Sequence, residues 1–229
     1  MGILFTSIAT LYRLFTHRYA IEWEEPFIDE PCVFLCNHAG AFGPIEMCVK
    51  FPLRKNLRLW CNAGIMNRRE CPAYVRQDYW WRPESKLAPL YSATIPYAAA
   101  AIIPPVLKSA PTIPVYHDIR VMSTMHKSVA YMQTGGHIVI FPEQPSGFQS
   151  HHSWLNTGWM PLCTMWYRKS GQNVRLYPVH IDYKKHIFHV GRPVQYDGSR
   201  PLEEQKDALI EGVKPVLQGR FTATAGAAG

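Results

Sequence analysis

The sequence predicts one α/β domain whose mixed, largely parallel sheet is covered by helices on both faces, with an amphipathic helix at the N-terminus. Short β-rich runs alternate with helical stretches through most of the chain, a pattern typical of strands joined by crossover helices. The 229 residues, 47% of them apolar, are enough to bury one substantial core. Apolar residues also recur at helical spacing at the start of the chain.

Residues 1–20 account for the predicted amphipathic helix. Its apolar stripe consists of Leu4, Ile8, Leu11 and Phe15. The segment contains no acidic residue, and its other side is polar. Two interpretations stay open, because the same stripe suits a helix packed on its own domain and a helix lying in an anionic membrane interface. The N-terminus does not have the pattern of a signal peptide, so we expect a cytosolic location.

The other elements belong to a domain predicted over residues 21–219. Predicted strands cover 32–36, 57–61, 112–116, 137–141, 174–181 and 186–190, and predicted helices cover 44–53, 123–133, 158–169 and 202–217. The last two strands flank Lys184 and Lys185 and indicate a hairpin at one side of the sheet. Residues 220–229 are rich in small side chains and predict a disordered tail.

Residues 87–107 carry no charge and are long enough to be considered as a membrane span. Four prolines, at positions 89, 96, 104 and 105, each remove a backbone donor, so a buried broken helix or a shallow re-entrant segment is expected instead. The aromatic cluster at 79–81 lies among basic residues. It suits either the headgroup layer of a bilayer or the edge of the protein core.

The net charge of the chain indicates which classes of partner it binds. Lysine and arginine number 24 against 17 acidic residues, a net charge of +7, which indicates nucleic acid, an anionic membrane surface or a phosphorylated substrate. No recognised nucleic-acid-binding motif is present, so nucleic acid is not expected as a partner. The six cysteines show neither zinc-site nor disulfide spacing and are expected to be reduced and mostly buried.

The chemistry is expected where the strands end. The first buried strand, 32–36, stops at Asn37 and His38, and a turn of small residues leads to Gly43 and Pro44 at the start of a helix. A histidine beside the free amides of a helix N-terminus suits a general base next to an oxyanion or phosphate site. The alternative is a structural role for His38, in which its ring only forms hydrogen bonds with the turn.

Two further strands end in polar residues. The run at 137–143, HIVIFPE, delivers Glu143, and the run at 112–120, TIPVYHDIR, delivers His117, Asp118 and Arg120. Together these segments resemble the glycerophospholipid acyltransferase family. Asn37-His38 resembles the family's N-H-x-x-x-x-D block, residues 113–115 its acceptor-binding block, Phe141-Pro142-Glu143 its F-P-E-G block, and residues 176–179 a later hydrophobic block. The likeness extends over roughly residues 30–200.

The resemblance implies the fold of glycerol-3-phosphate acyltransferases and direct transfer of a fatty acyl group from acyl-CoA or acyl-carrier protein to the hydroxyl of a lysophospholipid such as lysophosphatidic acid. His38 is then the general base. Arg120, with His117, holds the acceptor phosphate, and Glu143 binds its glycerol hydroxyls or orders the pocket. The other implied substrate-binding positions are Asn37, Gly43, Phe141, Pro142 and Gln144. Neither metal nor cofactor is implied, and the protein is expected on the cytosolic face of an anionic membrane.

Departures from the family pattern concern the same blocks. Gly43 stands where the family has the aspartate that orients the histidine. Glu46, at the third helical position, is the candidate to replace it, although an ordinary helix-capping carboxylate is equally compatible with this position. His117 stands where the family has arginine, and Gln144 replaces the glycine after Phe-Pro-Glu. The polar loop at 144–157 either recognises a different acceptor or covers the substrate pocket.

The alternative function is a non-catalytic, lipid-binding relative that keeps the acyltransferase fold. The loss of aspartate at position 43 favours this alternative, whereas His38 at a strand end facing Phe-Pro-Glu favours catalysis. Three histidines at 180, 186 and 189 span the predicted hairpin without a carboxylate or cysteine at ligand spacing. They are therefore interpreted as strand residues and not as metal ligands.

Overall fold

The computed structural model describes residues 2–38, 42–77, 85–143 and 155–221 of the chain. Its helices are α1 Ile3–Phe15, α2 Phe42–Val49, α3 Cys71–Gln77, α4 Ala88–Ser109, α5 Val121–Met132, α6 Pro161–Ser170 and α7 Leu202–Leu217, and a 3₁₀ turn covers Arg54–Asn56. Its strands are β1 Ala20–Trp23, β2 Cys32–Cys36, β3 Leu57–Asn62, β4 Thr112–Val115, β5 His137–Ile140, β6 Val174–Asp182, β7 Ile187–Val190 and β8 Val194–Tyr196. All six predicted strands and all four predicted domain helices are present, whereas β1, β8 and α3 are not predicted by the sequence.

The eight strands form one sheet in the order β1-β7-β6-β2-β5-β3-β4, with β8 also paired to β6. Neighbours from β6 through β2, β5 and β3 to β4 are all parallel, so the carboxyl ends of these five strands meet at one edge of the sheet. Strands β7 and β8 run antiparallel to β6, and β1 runs parallel to β7. The predicted fold class, α/β with a mixed, largely parallel sheet and an N-terminal apolar helix, is confirmed.

Two hydrophobic layers cover the sheet. Strand β2 is apolar and buried at every position, and its side chains alternate between the layers, with Val33 and Leu35 on one face and Phe34 and Cys36 on the other. Helices α5, α6 and α7 pack on the face that carries Val33. Helices α1 and α2 pack on the opposite face, through residues that include Phe5, Ala9, Met47 and Cys48.

Helix α1 packs through a side that the sequence pattern does not reveal. Phe5 and Ala9 are its buried residues, and the backbone N–H of Phe5 donates to the Ser109 hydroxyl of α4 at 2.9 Å. The four residues of the predicted apolar stripe, Leu4, Ile8, Leu11 and Phe15, are all exposed, with Phe15 82% exposed. The helix therefore contacts its own domain while the stripe stays in solvent.

Helix α4 corrects the expectation of a buried broken helix. Residues Ala88–Ser109 form one α-helix with Pro96, Pro104 and Pro105 inside it. By length and composition it is the one described helix that is long and apolar enough to cross a membrane, a test that a core helix of a soluble protein also passes. Only 22% of its most apolar 18-residue window is buried within the protein.

Arginine side chains compensate for two of the prolines in α4. Pro96 lacks the N–H that would bond the Ser92 carbonyl, and the guanidinium of Arg76 donates to that oxygen at 3.3 and 3.4 Å. In the same way, the carbonyl that Pro105 leaves open, that of Ala101, accepts from the guanidinium of Arg68 at 3.4 Å. The helix continues because these carbonyls have other donors.

Candidate functional site

The carboxyl edge of the parallel strands brings together the strand-end residues that the sequence singles out. His38 follows β2, Glu143 follows β5, and His117 follows β4. Strands β2 and β5 are direct neighbours, whereas β3 lies between β5 and β4. With about 4.8 Å between adjacent strands, His117 therefore starts roughly 14 Å from His38 along the edge.

His38 and Glu143 are in direct contact. The backbone N–H of His38 donates to Oε2 of Glu143 at 2.7 Å. The His38 ring lies edge-on to Phe141, with ring centroids 5.4 Å apart and an interplanar angle of 66°. The carboxylate of the Phe-Pro-Glu segment thus fixes the backbone that carries the histidine, and Phe141 gives its ring an apolar neighbour.

Asn37 holds the adjoining strand in place. Its side chain is buried, and its Oδ1 accepts the backbone N–H of Ile181 at 2.7 Å while Nδ2 donates to the Ile181 carbonyl at 3.5 Å. These two bonds extend the β2–β6 pairing by one residue beyond the strand. Asn37 therefore sets the direction in which the chain leaves the sheet just before His38.

Gly43 lies against the backbone at the end of β2. A Cβ atom at this position would stand 2.6 Å from the carbonyl oxygen of His38 and 3.2 Å from the Tyr183 hydroxyl. The first distance is shorter than real Cβ contacts, so any larger side chain requires a backbone shift. Gly43 thus permits the close approach of α2 to His38.

Glu46 contacts the N-terminal helix. Its side chain is buried, the Tyr12 hydroxyl donates to Oε1 at 2.7 Å, and the Lys50 ammonium lies 2.9 Å from Oε2. The same ammonium sits over the rings of Tyr12 and Tyr19, 4.9 and 4.7 Å from their centroids. These contacts join α1 to α2. The role of Glu46 in orienting His38 stays a prediction.

A cavity of about 200 Å³ adjoins this cluster and is lined by Tyr12, Tyr19, Glu46, Lys50, Tyr183 and His186, among others. Burial raises the pKa of Tyr19 to about 12, and burial likewise raises the pKa of Tyr183. The Tyr183 hydroxyl is buried without a hydrogen-bond partner among the described residues. Sequence reasoning missed Tyr12, Lys50 and Tyr183, because none of the three belongs to a sequence motif, although Tyr12 lies on α1 and Lys50 directly follows α2.

The predicted phosphate-binding residues have partners of their own. His117 Nε2 lies 3.1 Å from Nδ2 of Asn62, a residue at the end of β3 that the sequence analysis did not single out. The guanidinium of Arg120 binds both carboxylate oxygens of Asp118 at 2.7–3.0 Å and lies over the Tyr116 ring. Arg120 holds the pKa of Asp118 at about 2. A phosphate at Arg120 would therefore compete with Asp118.

Several predicted features lie outside the described residues. These are Gln144, the loop at 144–154, the aromatic cluster at 79–81 and the tail at 222–229. Within the described residues, no group of three His, Cys, Asp or Glu side chains is arranged to hold a metal ion. Two histidines of the hairpin have other partners, since His189 lies 2.8 Å from Glu22 and His180 lies 3.1 Å from the Leu217 carbonyl.

The first prediction concerns Gly43. We expect Gly43→Asp to lower the free energy of unfolding by about 1–3 kcal/mol because its Cβ overlaps the His38 carbonyl. Gly43→Ala isolates the effect of the Cβ and should cost a similar amount. Urea unfolding measures both variants. Unchanged stability in Gly43→Asp would show that the close approach imposes no constraint.

The second prediction concerns the buried pair of Glu46 and Lys50, whose side chains are 5% and 7% exposed. Glu46→Gln should lower the free energy of unfolding by on the order of 3 kcal/mol, because it leaves a buried ammonium without its counter-charge. The double variant Glu46→Gln/Lys50→Met should recover most of that loss, and urea unfolding measures all three proteins. The double variant also tests the predicted role of Glu46 beside His38. If Glu46 orients His38, the turnover of the double variant should stay low even though its stability has returned.

Comparisons of this chain with protein-family models, with curated proteins and with solved structures found no match. In the structure, His38 and Glu143 are in contact at the carboxyl edge of the parallel strands, and the start of α2 lies against the His38 carbonyl.

Proposed function

We propose that this protein is an acyltransferase that moves a fatty acyl group from an acyl thioester, carried by CoA or a carrier protein, to the hydroxyl of a lysophospholipid such as lysophosphatidic acid. One observation carries the proposal: Glu143 binds the backbone N–H of His38, at the point where two neighbouring parallel strands end. Ligands of open α/β sheets bind beyond the carboxyl ends of the strands. The contact unites two segments that resemble acyltransferase blocks.

In this reaction one ring nitrogen of His38 accepts the proton of the acceptor hydroxyl. The oxygen attacks the thioester carbonyl, a carbon–oxygen bond forms, the carbon–sulfur bond breaks, and the imidazolium returns its proton to the leaving thiolate. Imidazole suits both transfers at cellular pH. The backbone of α2 begins beside the His38 carbonyl, and in the proposed reaction the free amides at the start of this helix stabilise the negative charge that develops on the thioester carbonyl oxygen.

The contacts of the site give its other residues distinct roles in the proposal. Asn37 and Glu143 position the His38 backbone, because both hydrogen-bond to main-chain groups at this strand end. His117 and Arg120 lie about three strand spacings away and suit the distal, anionic end of an extended acceptor. Binding of that end requires Arg120 to exchange its bond to Asp118 for one to phosphate.

We also propose that the protein binds an anionic membrane peripherally, at its cytosolic face, through α1 and α4. Both helices expose large apolar side chains, including Ile3, Leu11, Leu14, Phe15, Leu90 and Ile102. The two helices pack together at Ser109, which accepts the backbone N–H groups of Gly2 and Phe5. An apolar surface on a chain of net charge +7 suits an anionic bilayer.

A non-catalytic lipid-binding protein with the same fold is the second candidate. The observation in its favour is Gly43, because the site has no aspartate at the position that orients histidine in the family that the sequence resembles. Membrane binding by α1 and α4 is common to both candidates. Chemistry at His38 separates them.

The third prediction tests that chemistry. His38→Ala and the better size match His38→Gln should each lower acceptor-dependent thiol release by on the order of 10²–10⁴-fold, since neither side chain acts as a base. Both variants keep the backbone N–H that binds Glu143, so binding to liposomes should not change, and unfolding in urea shows that each variant is folded. The assay measures thiol release from acyl-CoA and acyl-carrier protein with a panel of lysophospholipids.

Two results would contradict the proposal in different ways. Wild-type turnover in His38→Gln would show that another group is the base. No release by the wild-type protein with any donor and acceptor, while it still binds liposomes, would assign it to the lipid-binding alternative.

The fourth prediction concerns membrane binding. Leu11→Ser/Phe15→Ser should weaken binding to phosphatidylglycerol vesicles at least about tenfold, since each apolar side chain contributes about 1.5–3 kcal/mol when it leaves water. Both residues are exposed, so folding should be unaffected. Ile28→Ser, an exposed apolar residue outside α1 and α4, is the control, and vesicle flotation is the measurement. Equal flotation of the variant and wild type would rule out this surface.

A further inference from the structure

A second, larger cavity lies on the face of the sheet opposite α1. Helices α5 and α6 pack beside each other there, and the cleft between them has a volume of about 570 Å³. We call it the α5–α6 groove. Its floor and walls are mainly apolar and include Met122, Val129, Ala130 and Met165. Methionine side chains adapt their shape to a partner, which makes such a groove suitable for an apolar helix face.

The charge at this groove has one sign. Arg168 and Lys169 line its edge on α6, and His126 lines it on α5. Neither helix contains an aspartate or a glutamate. The salt bridges between described residues involve other lysines and arginines, so these two cations are available to a partner. An apolar groove edged by cations that have no ion-pair partner among the described residues is complementary to an amphipathic helix with an acidic side.

The position of the groove favours a soluble partner over a membrane. The exposed apolar residues of α1 lie with the opposite hydrophobic layer, and the whole sheet separates that layer from α5 and α6. A bilayer bound to α1 therefore leaves the α5–α6 groove facing water. A concave cleft also fits a helix better than it fits a flat lipid surface.

The groove reaches the edge of the sheet where the site lies. Helix α5 begins at Val121, shortly after β4 ends, so Met122 stands at the end of the groove nearest the carboxyl edge. A protein docked along α5 would hold a flexible thioester arm at the same edge as His38. Acyl-CoA needs no such docking surface, because it has no protein part.

We infer that the α5–α6 groove docks an acidic amphipathic helix of a soluble acyl-carrier protein, which presents the acyl thioester to His38. This inference rests on the proposed function and selects one of its two donors. The carrier contributes apolar side chains to the cleft between Met122 and Met165, and its carboxylates pair with Arg168 and Lys169. The acceptor lipid enters from the membrane side, so donor and acceptor do not compete for one surface.

The fifth prediction tests the docking directly, with the full chain and purified acyl-carrier protein in isothermal titration calorimetry. The wild-type protein should bind the carrier with an affinity that falls as salt is added. Arg168→Glu/Lys169→Glu should weaken binding at least about tenfold, and Met165→Gln, which adds no charge, should weaken it through the apolar cleft alone. The control is Arg54→Glu/Lys55→Glu, which makes the same change of charge on the 3₁₀ turn and should bind like the wild type.

Turnover separates this inference from the proposed function. The rate with acyl-carrier protein divided by the rate with acyl-CoA should fall at least about tenfold in Arg168→Glu/Lys169→Glu. Equal binding by that variant and the control, or an equal loss with both donors, would overturn the inference while leaving the acyltransferase in place. Release from neither donor by the wild-type protein would contradict the proposed function, and the calorimetry would still decide whether the groove binds the carrier.

Discussion

Strand β2 is paired on both sides with parallel strands, and this pairing determines where Asn37, His38 and Glu143 lie. Because β5 and β6 flank β2 in register, the residues that follow the three strands emerge side by side at one edge. Asn37 locks that edge to β6, and Glu143 locks it to β5. The His38 backbone N–H is therefore bound to Glu143, and the residue before it is bound to Ile181 of β6.

The same constraint explains why the helix after His38 begins with glycine. The backbone of α2 approaches the His38 carbonyl so closely that a Cβ at position 43 has no room. From this position α2 packs against α1. Glu46 accepts a hydrogen bond from Tyr12, and the Lys50 ammonium lies over the rings of Tyr12 and Tyr19. The short helix α2 thus connects the proposed membrane helix, α1, to the proposed catalytic residue, His38. A displacement of α1 would therefore shift the first turn of α2.

The fold class and the positions of the parallel strands could be predicted from the sequence, because each buried strand is a continuous apolar run and several of these runs are followed directly by polar residues. The contact between His38 and Glu143 follows from the same logic. The sequence could not reveal that α1 packs through Phe5 and leaves its apolar stripe exposed, because that depends on a tertiary partner. The continuity of α4 was missed for a similar reason, since arginines distant in sequence supply the donors that its prolines lack. The sequence also did not indicate that Arg120 pairs with Asp118, two residues earlier in the chain.

The two layers of the protein differ in what they offer to a partner. On one side, α1 and α4 expose scattered apolar side chains of the kind that enters a bilayer. On the other side, the α5–α6 groove combines an apolar cleft with two cations that have no ion-pair partner among the described residues, and it faces away from α1. In an acyl transfer between a membrane lipid and a water-soluble donor, both substrates must reach the same site, one from the membrane and one from water. The carboxyl edge of the sheet is common to both layers, and His38 lies on it.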